Sequence, residues 1–250
     1  MKPTSCRPKI VVAADGRGVV GHAGARLVAD LADATGLSEA MSEALAPLRQ
    51  RDRGHDPGRV AVDLAVMLAD GGEAIADLAV LRNQSELFGP VASDPTAWRV
   101  LDGIDAAGLD RIRAARARAR ELAWAQAAET GRLPSSTVGG FAIPGFVLDI
   151  DATIVVCHSD KESAAKTWKK SFGYHPLLCF LDATGEALAG ILRPGNAGSN
   201  TAADHIRVLD LALAQIPDHL RHGEDILVRS DSASVSGRLC KCPGWTLSTC

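Results

Sequence analysis

The stretch FVLDIDATIVV, residues 146–156, constrains this chain more than any other. It is apolar and β-branched, the composition of a buried strand. Yet it holds two acids, Asp149 and Asp151. Two positions apart on a strand, they face the same side. A charge inside an apolar run is costly unless something compensates it, and a metal ion is one such partner. A third acid, Asp231, closes a second apolar run, DILVRSD.

The rest of the chain must supply a core for such a strand. With 250 residues, 46% hydrophobic and 23% charged, it suits one large or two modest globular domains. Aromatics are only 4%, so Ala, Leu and Val fill the interior. The net charge of -3 neither requires nor excludes nucleic-acid binding, which needs only a local basic surface. No apolar run reaches the roughly 18 residues of a membrane span. The opening MKPTSCRPKIVVAADG lacks the apolar core of a signal peptide, so a cytosolic protein is the default. Cys6, Cys157 and Cys179 stand alone and read as inert residues. Cys240, Cys242 and Cys250 crowd the last residues without a histidine at ligand spacing, a weak zinc signal.

The first half reads as helical. Residues 10–20 suggest a short strand and a Gly-rich turn. Leu27, Leu31 and Ala34 share one helix face, with Gly36 as C-cap. Ser38 reads as the cap of a short helix ending before Pro47. Residues 59–69 are apolar nearly all round and are expected to be buried. Gly71-Gly72 breaks the helix, which resumes over 73–81. Asp94-Pro95 reads as an N-cap with a first-turn proline. Such helices make an ordinary hairpin or a helix-turn-helix DNA reader. Residues 108–130 predict one long helix carrying Arg111, Arg113, Arg116, Arg118 and Arg120, with an apolar stripe of Ile112, Ala115, Ala119 and Leu122. Arg113, Arg116 and Arg118 are candidates for phosphate contact; a solvated face is the plain alternative, and no interleaved aromatic supports base stacking. GRLPSSTVGG, within residues 131–145, reads as a linker.

The second half predicts a strand over 146–156, then a polar connection over 157–174 containing Lys161, Lys166, Lys169 and Lys170. Strands over 175–181 and 186–192 form a hairpin. After the loop RPGNAGSN, Ala202, Ile206, Leu209, Leu213 and Ile216 mark an amphipathic helix that Pro217 ends. A last strand, 226–228, leads to Asp231. The order is β-β-β-α-β in an α/β fold. A helical crossover implies parallel pairing of the flanking strands, and acids at strand ends then converge in the crevice where open α/β sheets bind ligands.

Asp151 and Asp231, with a substrate phosphate, make an oxygen site suited to Mg²⁺ or Mn²⁺. In two-metal sites the ions lie about 3.5–4 Å apart and serve in-line attack on a phosphodiester. The plain alternative is turn or cap aspartates; it suits Asp231, between Ser230 and Ser232, better than Asp151. Lys166, Lys169 and Lys170 either contact DNA phosphates or form a solvated loop. His158, His175, His205, His219 and His222 lack metal-ligand spacing.

VLDIDATIVVCHSDKE, FGYHPLLCFLDATGEALAGILRPGNAGSNTAADHI and ILVRSDSA, in this order, resemble the DDE-class transposases of bacterial insertion sequences. HDPGRVAVDLAVMLADGGEAIADLAVLRNQSELFGPVASDPTAWRVLD resembles their helical N-terminal region. The resemblance spans roughly residues 10–233. It implies a ribonuclease-H-like catalytic core, a divalent metal, and DNA strand cleavage and transfer at terminal inverted repeats. The first family aspartate falls on Asp151, with Asp149 the alternative, and the second on Asp231. The third, a glutamate, has no match. The tail from Ser234 is unlike the family, and a frameshift or premature stop after Ala233 is the expectation. The layout is then a helical DNA-binding region 1–130, a linker 131–145, an incomplete ribonuclease-H-like mixed sheet 146–233, and an unrelated tail 234–250. Double-stranded DNA is the implied partner, a homodimer is compatible, no membrane is involved, and the implied location is the bacterial cytoplasm at the nucleoid. The alternative is a non-catalytic DNA-binding fragment that represses an intact transposase.

Overall fold

Asp, Pro and Gly mark several helix ends in the first half, among them Gly36, Asp56-Pro57, Gly89 and Gly103. In the computed structural model the chain divides into two compact units, Met1–Gln126 and Ala127–Cys250. The structure describes residues 7–11, 21–49, 51, 54–138, 140–158, 160–198, 201–222 and 226–230. Most of the strand and turn expected over 10–20 lies outside them, as do Asp231 and the tail.

The first unit contains α1 (Ala23–Ala34), α2 (Leu37–Leu45), a 3₁₀ turn (Ala46–Leu48), α3 (Pro57–Ala69), a second 3₁₀ turn (Ile75–Leu78), α4 (Ala79–Arg82), α5 (Ser85–Phe88), α6 (Asp94–Asp102) and α7 (Ala106–Glu129). Asp56 caps α3 by accepting from the backbone N–H groups of Gly58 at 2.8 Å and Arg59 at 3.4 Å, with Pro57 at the first helical position. As its all-round apolar sequence predicts, α3 is buried through Val60, Val62, Leu64, Val66 and Met67. Around it lie Leu45, Leu78, Leu81 and Phe88, all fully buried.

Three local expectations are corrected. The buried side of α1 is Ala25, Arg26, Ala29 and Ala32, while Leu27 and Leu31 are exposed. Alanines let helix backbones approach closely. Arg26 is tolerated inside because its guanidinium reaches Asp30 at 2.8 Å and the Pro8 carbonyl at 3.0 Å. Ser38 is not an N-cap. Gly36, at φ 71°, occupies that position, and the Ser38 hydroxyl instead donates to Asp33. The N-cap of α6 is Ser93, so Asp94 and Pro95 begin the first turn.

The second unit opens with an antiparallel hairpin, β1 (Ser136–Val138) and β2 (Phe141–Ile143), inside the stretch read as a linker. Next come β3 (Phe146–Ala152), β4 (Val155–Val156), β5 (Ala165–Lys166), β6 (Phe172–Tyr174), β7 (Leu177–Leu181), β8 (Glu186–Ile191), α8 (Ala202–Leu213), α9 (Asp218–Arg221) and β9 (Ile226–Ser230). The main sheet has the order β8-β7-β3-β9. Pairs β8–β7 and β7–β3 are antiparallel, and β3–β9 is parallel. That is the expected β-β-β-α-β order with the expected parallel closure after the helix.

Two features differ from expectation. The strand expected over 146–156 ends at Ala152, and Val155–Val156 leaves it to pair with β6. The lysine-rich connection is likewise not plain loop. It contributes β5 and β6 to a small sheet of order β4-β6-β5. Val155 and Val156 found a different partner strand, which residue type alone does not reveal.

Pleating gives the main sheet two unlike faces. Leu148 and Ile150 on β3 are buried beside their cross-strand partners Leu181, Cys179 and Val228. The other face carries Asp149, Leu178, Phe180 and Arg229, all half-buried, and the exposed Asp151. Helix α8 packs on β7 and β8 and buries His205, Val208, Leu209, Ala212 and Leu213. Of the predicted stripe Leu209, Leu213 and Ile216 are buried, while Ala202 and Ile206 are only half-buried because the face turned to the sheet is centred on Val208 and Ala212.

Candidate active site

The two acids of β3 share the half-open face, and their surroundings separate them. Asp149 stands opposite Arg229 in the parallel register of β3 and β9. Arg229 Nε donates to Asp149 Oδ1 at 2.6 Å and an Arg229 terminal nitrogen donates to Oδ2 at 2.7 Å, a two-pronged ion pair. The same guanidinium reaches Asp182, just beyond β7, at 2.5 Å. Its pKa is pushed further up, first by the hydrogen bond to Asp149. The Ser136 hydroxyl and then Arg229 hold the Asp182 carboxyl below the usual carboxylate range. Asp149, Arg229 and Asp182 thus form one cluster, two carboxylates sharing one guanidinium, that ties β3, the end of β7 and β9 together.

Asp151 is different. It is exposed near the end of β3. One carboxylate oxygen accepts from the Ala152 N–H at 2.8 Å. Among the described residues no Lys, Arg or His side chain forms an ion pair with it. It is an ionisable oxygen donor left open at a strand end, the position from which α/β sheets present ligand-binding groups.

Asp231 lies outside the described residues, but its predecessor does not. Ser230 pairs with Ile150, the residue before Asp151. Among the described residues no group of three His, Cys, Asp or Glu side chains converges on a metal-sized site. His175 and His205 are buried, with Nδ1 3.0 Å from the Ala197 and Thr201 carbonyls respectively. Cys179 is buried on β7, and burial, aided by the charge of Asp149, pushes its thiol up to about 12. An inert core cysteine is what its sequence context predicts.

The expected phosphate-binding residues fall into two groups. On α7, Arg113 pairs with Asp110 at 2.6 Å and Arg118 with Glu43 at 2.6 Å. Arg111 donates to the Ala44 carbonyl at 2.7 Å, and Arg120 is buried. Arg116 is also engaged within the chain. The stripe of α7 runs through Ala115, Ala119 and Trp124, and Leu122 is exposed. In the second unit, Lys166, Lys169 and Lys170 are all exposed.

Sequence reasoning missed Arg229 and Asp182. The available signal was the arginine inside ILVRS, a charge in an otherwise apolar strand that requires an acid opposite.

The strand order, with three antiparallel strands and a fourth added in parallel after a helix, is that of a mixed α/β domain. A family profile described as Transposase DDE domain group 1 matches residues 2–242. The chain belongs to that transposase family. The match continues past Ala233 into the stretch expected to be unrelated. Searches of curated proteins and of solved structures each returned no match. Among the described residues no helix is long and apolar enough to cross a membrane.

Proposed function

We propose that this chain is an insertion-sequence transposase whose second unit is a ribonuclease-H-like core carrying the first two metal-ligand carboxylates, Asp151 and Asp231. The supporting observation is the parallel register of β3 and β9. Ile150 pairs with Ser230, and an aspartate follows each of them in sequence. The order β8-β7-β3-β9, three antiparallel strands and a fourth added parallel after a helix, is the order such a core requires.

The residues suit a hard divalent cation, because Asp151 is a carboxylate that no ion pair among the described residues neutralises. Asp149 is a poorer ligand, since Arg229 already occupies both of its oxygens. Bound at Asp151 and Asp231, Mg²⁺ or Mn²⁺ supplies activation of the attacking oxygen and stabilisation of the leaving one. The protein groups do the positioning. Arg229 fixes β9 against β3 through Asp149, which sets the spacing of the strand ends. Exposed Lys166, Lys169 and Lys170 offset phosphate charge. The reaction is in-line attack of water, or of a 3′-hydroxyl in strand transfer, on a phosphodiester at the element's terminal inverted repeats; a new P–O bond forms as the bond to the leaving oxygen breaks. No glutamate follows Glu224 within these residues, so the family's third acid is not among them.

Metal binding is therefore tested apart from cleavage. Mn²⁺ titration followed by electron paramagnetic resonance is expected to show a site that Asp151→Asn weakens at least tenfold. Asp149→Asn should leave it within a few-fold. Equal binding by wild type and Asp151→Asn would overturn the assignment. Cleavage of terminal-repeat DNA by Asp151→Asn at the wild-type rate would do the same.

A further inference from the structure

The small sheet holds a feature that the carboxylate site does not use. Strands β5 and β6 are joined by a tight turn, Thr167-Trp168-Lys169-Lys170-Ser171. The Thr167 N–H donates to the Ser171 carbonyl at 2.8 Å, the Lys170 N–H donates to the Thr167 carbonyl at 3.0 Å, and the Thr167 and Ser171 hydroxyls lie 2.6 Å apart. Lys170 adopts φ 62°, a left-handed conformation that a lysine takes only when the turn demands it. The base of the turn is packed as well. Thr167 is buried. A Cβ added at Gly195 would stand 2.3 Å from the Ala165 carbonyl, so the RPGN loop presses directly on β5. This is a fixed hairpin tip.

What the tip displays is unusual for a soluble surface. Trp168 is 70% exposed, although tryptophan is among the most costly side chains to leave in water. Lys169 Nζ lies 5.0 Å from the centre of its ring, within cation–π range. Lys166 is exposed on the adjoining strand, and residues 165–172 contain three lysines and no acid. The hairpin is rooted at the Asp151 end of the main sheet. Val155 follows Ala152 across Thr153 and Ile154, Tyr174 precedes Leu177 across His175 and Pro176, and Ala152 pairs with Leu177.

We propose that this tip binds an unpaired DNA base, with Trp168 stacking on it and Lys166, Lys169 and Lys170 holding the flanking phosphates. An exposed indole with Lys169 over its ring and Lys166 and Lys170 on the same hairpin matches a nucleotide on both counts, since the ring offers a π-face and the lysines neutralise the backbone. A purely apolar partner would leave the lysines uncompensated, and paired duplex would leave the indole without a base face. Cleavage near an element end exposes unpaired bases, so this inference deepens the transposase reading by naming the DNA form that the site holds.

The test is equilibrium binding of the full chain, in EDTA, to a blunt terminal-repeat duplex and to the same duplex with a short single-stranded overhang. Wild type should prefer the overhang. Trp168→Ala should lower overhang affinity roughly tenfold and leave blunt-duplex affinity unchanged, with Trp168→Phe restoring most of the loss. Replacing Lys166, Lys169 and Lys170 by Ala should weaken both DNAs and flatten the salt dependence by about two to three units. Absence of any overhang preference, or its survival in Trp168→Ala, would overturn the proposal. So would a change of oligomeric state in Trp168→Ala, which would mark a protein interface instead. Asp151→Asn should keep the preference, so failure of the metal assignment and failure of the stacking assignment read out separately.

Discussion

Arg229 and Asp149 face each other across the parallel β3–β9 pair, guanidinium to carboxylate, at 2.6 and 2.7 Å. This pairing distinguishes the two acids on β3. It compensates Asp149, while no ion pair among the described residues engages Asp151. It also ties β9 to β3 at the register position Asp149–Arg229, one before the Ile150–Ser230 pair.

The first prediction concerns that pair. Each side chain keeps about a third of its surface in water, 36% for Arg229 and 32% for Asp149. Its removal should therefore cost less than the 3–5 kcal/mol of a fully buried pair. Two-pronged geometry makes it worth more than an ordinary surface bridge. Arg229→Met should lose about 1–2 kcal/mol in urea unfolding. A double-mutant cycle with Asp149→Asn should show coupling, and independent, additive losses would contradict the pairing.

The second concerns acid. Asp182 has a folded pKa held below its unfolded value by Ser136 and Arg229. The stability it contributes is fully present above the unfolded value, about 3.9. It is lost as pH falls through the lower folded value. Asp182→Asn should lower stability at neutral pH and make the profile flatter below about pH 4. Between pH 6 and 8 the profile should keep the wild-type slope. A variant as steep in acid as wild type would show that Asp182 is not held down.

The third concerns helix packing. A Cβ at Gly58 would stand 2.2 Å from the Ser42 backbone nitrogen and 2.3 Å from the Met41 carbonyl carbon. Backbone cannot yield as a flexible side chain can, so Gly58→Ala should force α2 and α3 apart. A loss of about 1–3 kcal/mol is expected from such overpacking. Thermal unfolding measures it, and a Tm equal to wild type would refute the close approach.

The fourth concerns thiol chemistry. With its thiol pushed up to about 12 and its side chain buried, Cys179 should resist alkylation at pH 8 in the folded protein. In denaturant it should react. Half-buried Cys157 should label faster than Cys179 under native conditions. Peptide mapping by mass spectrometry separates the two.

Much of this protein follows from local pattern. The alternation around Asp149 and Asp151 placed both acids on one strand face, and the stripe of α8 with the strands on either side of it implied parallel pairing. Family membership rested on residue strings that survive without any knowledge of contacts. These features depend on periods of about two and 3.6 residues and on short turns, which neighbouring residues encode.

Other features depended on partners distant in sequence. Nothing near Asp149 announces Arg229, eighty positions away. Whether an acid is compensated or open is set by the register of another strand. The end of β3 at Ala152 arose because Val155 and Val156 pair with Phe172–Tyr174; residues 146–156 alone read as one continuous strand. The exposed face of Leu27 and Leu31 followed from how α1 meets α3. Sequence by itself determined that two acids lie on one face of a buried strand in a transposase fold. Tertiary structure decided which acid is paired, because only the packed sheet brings Arg229 across to Asp149.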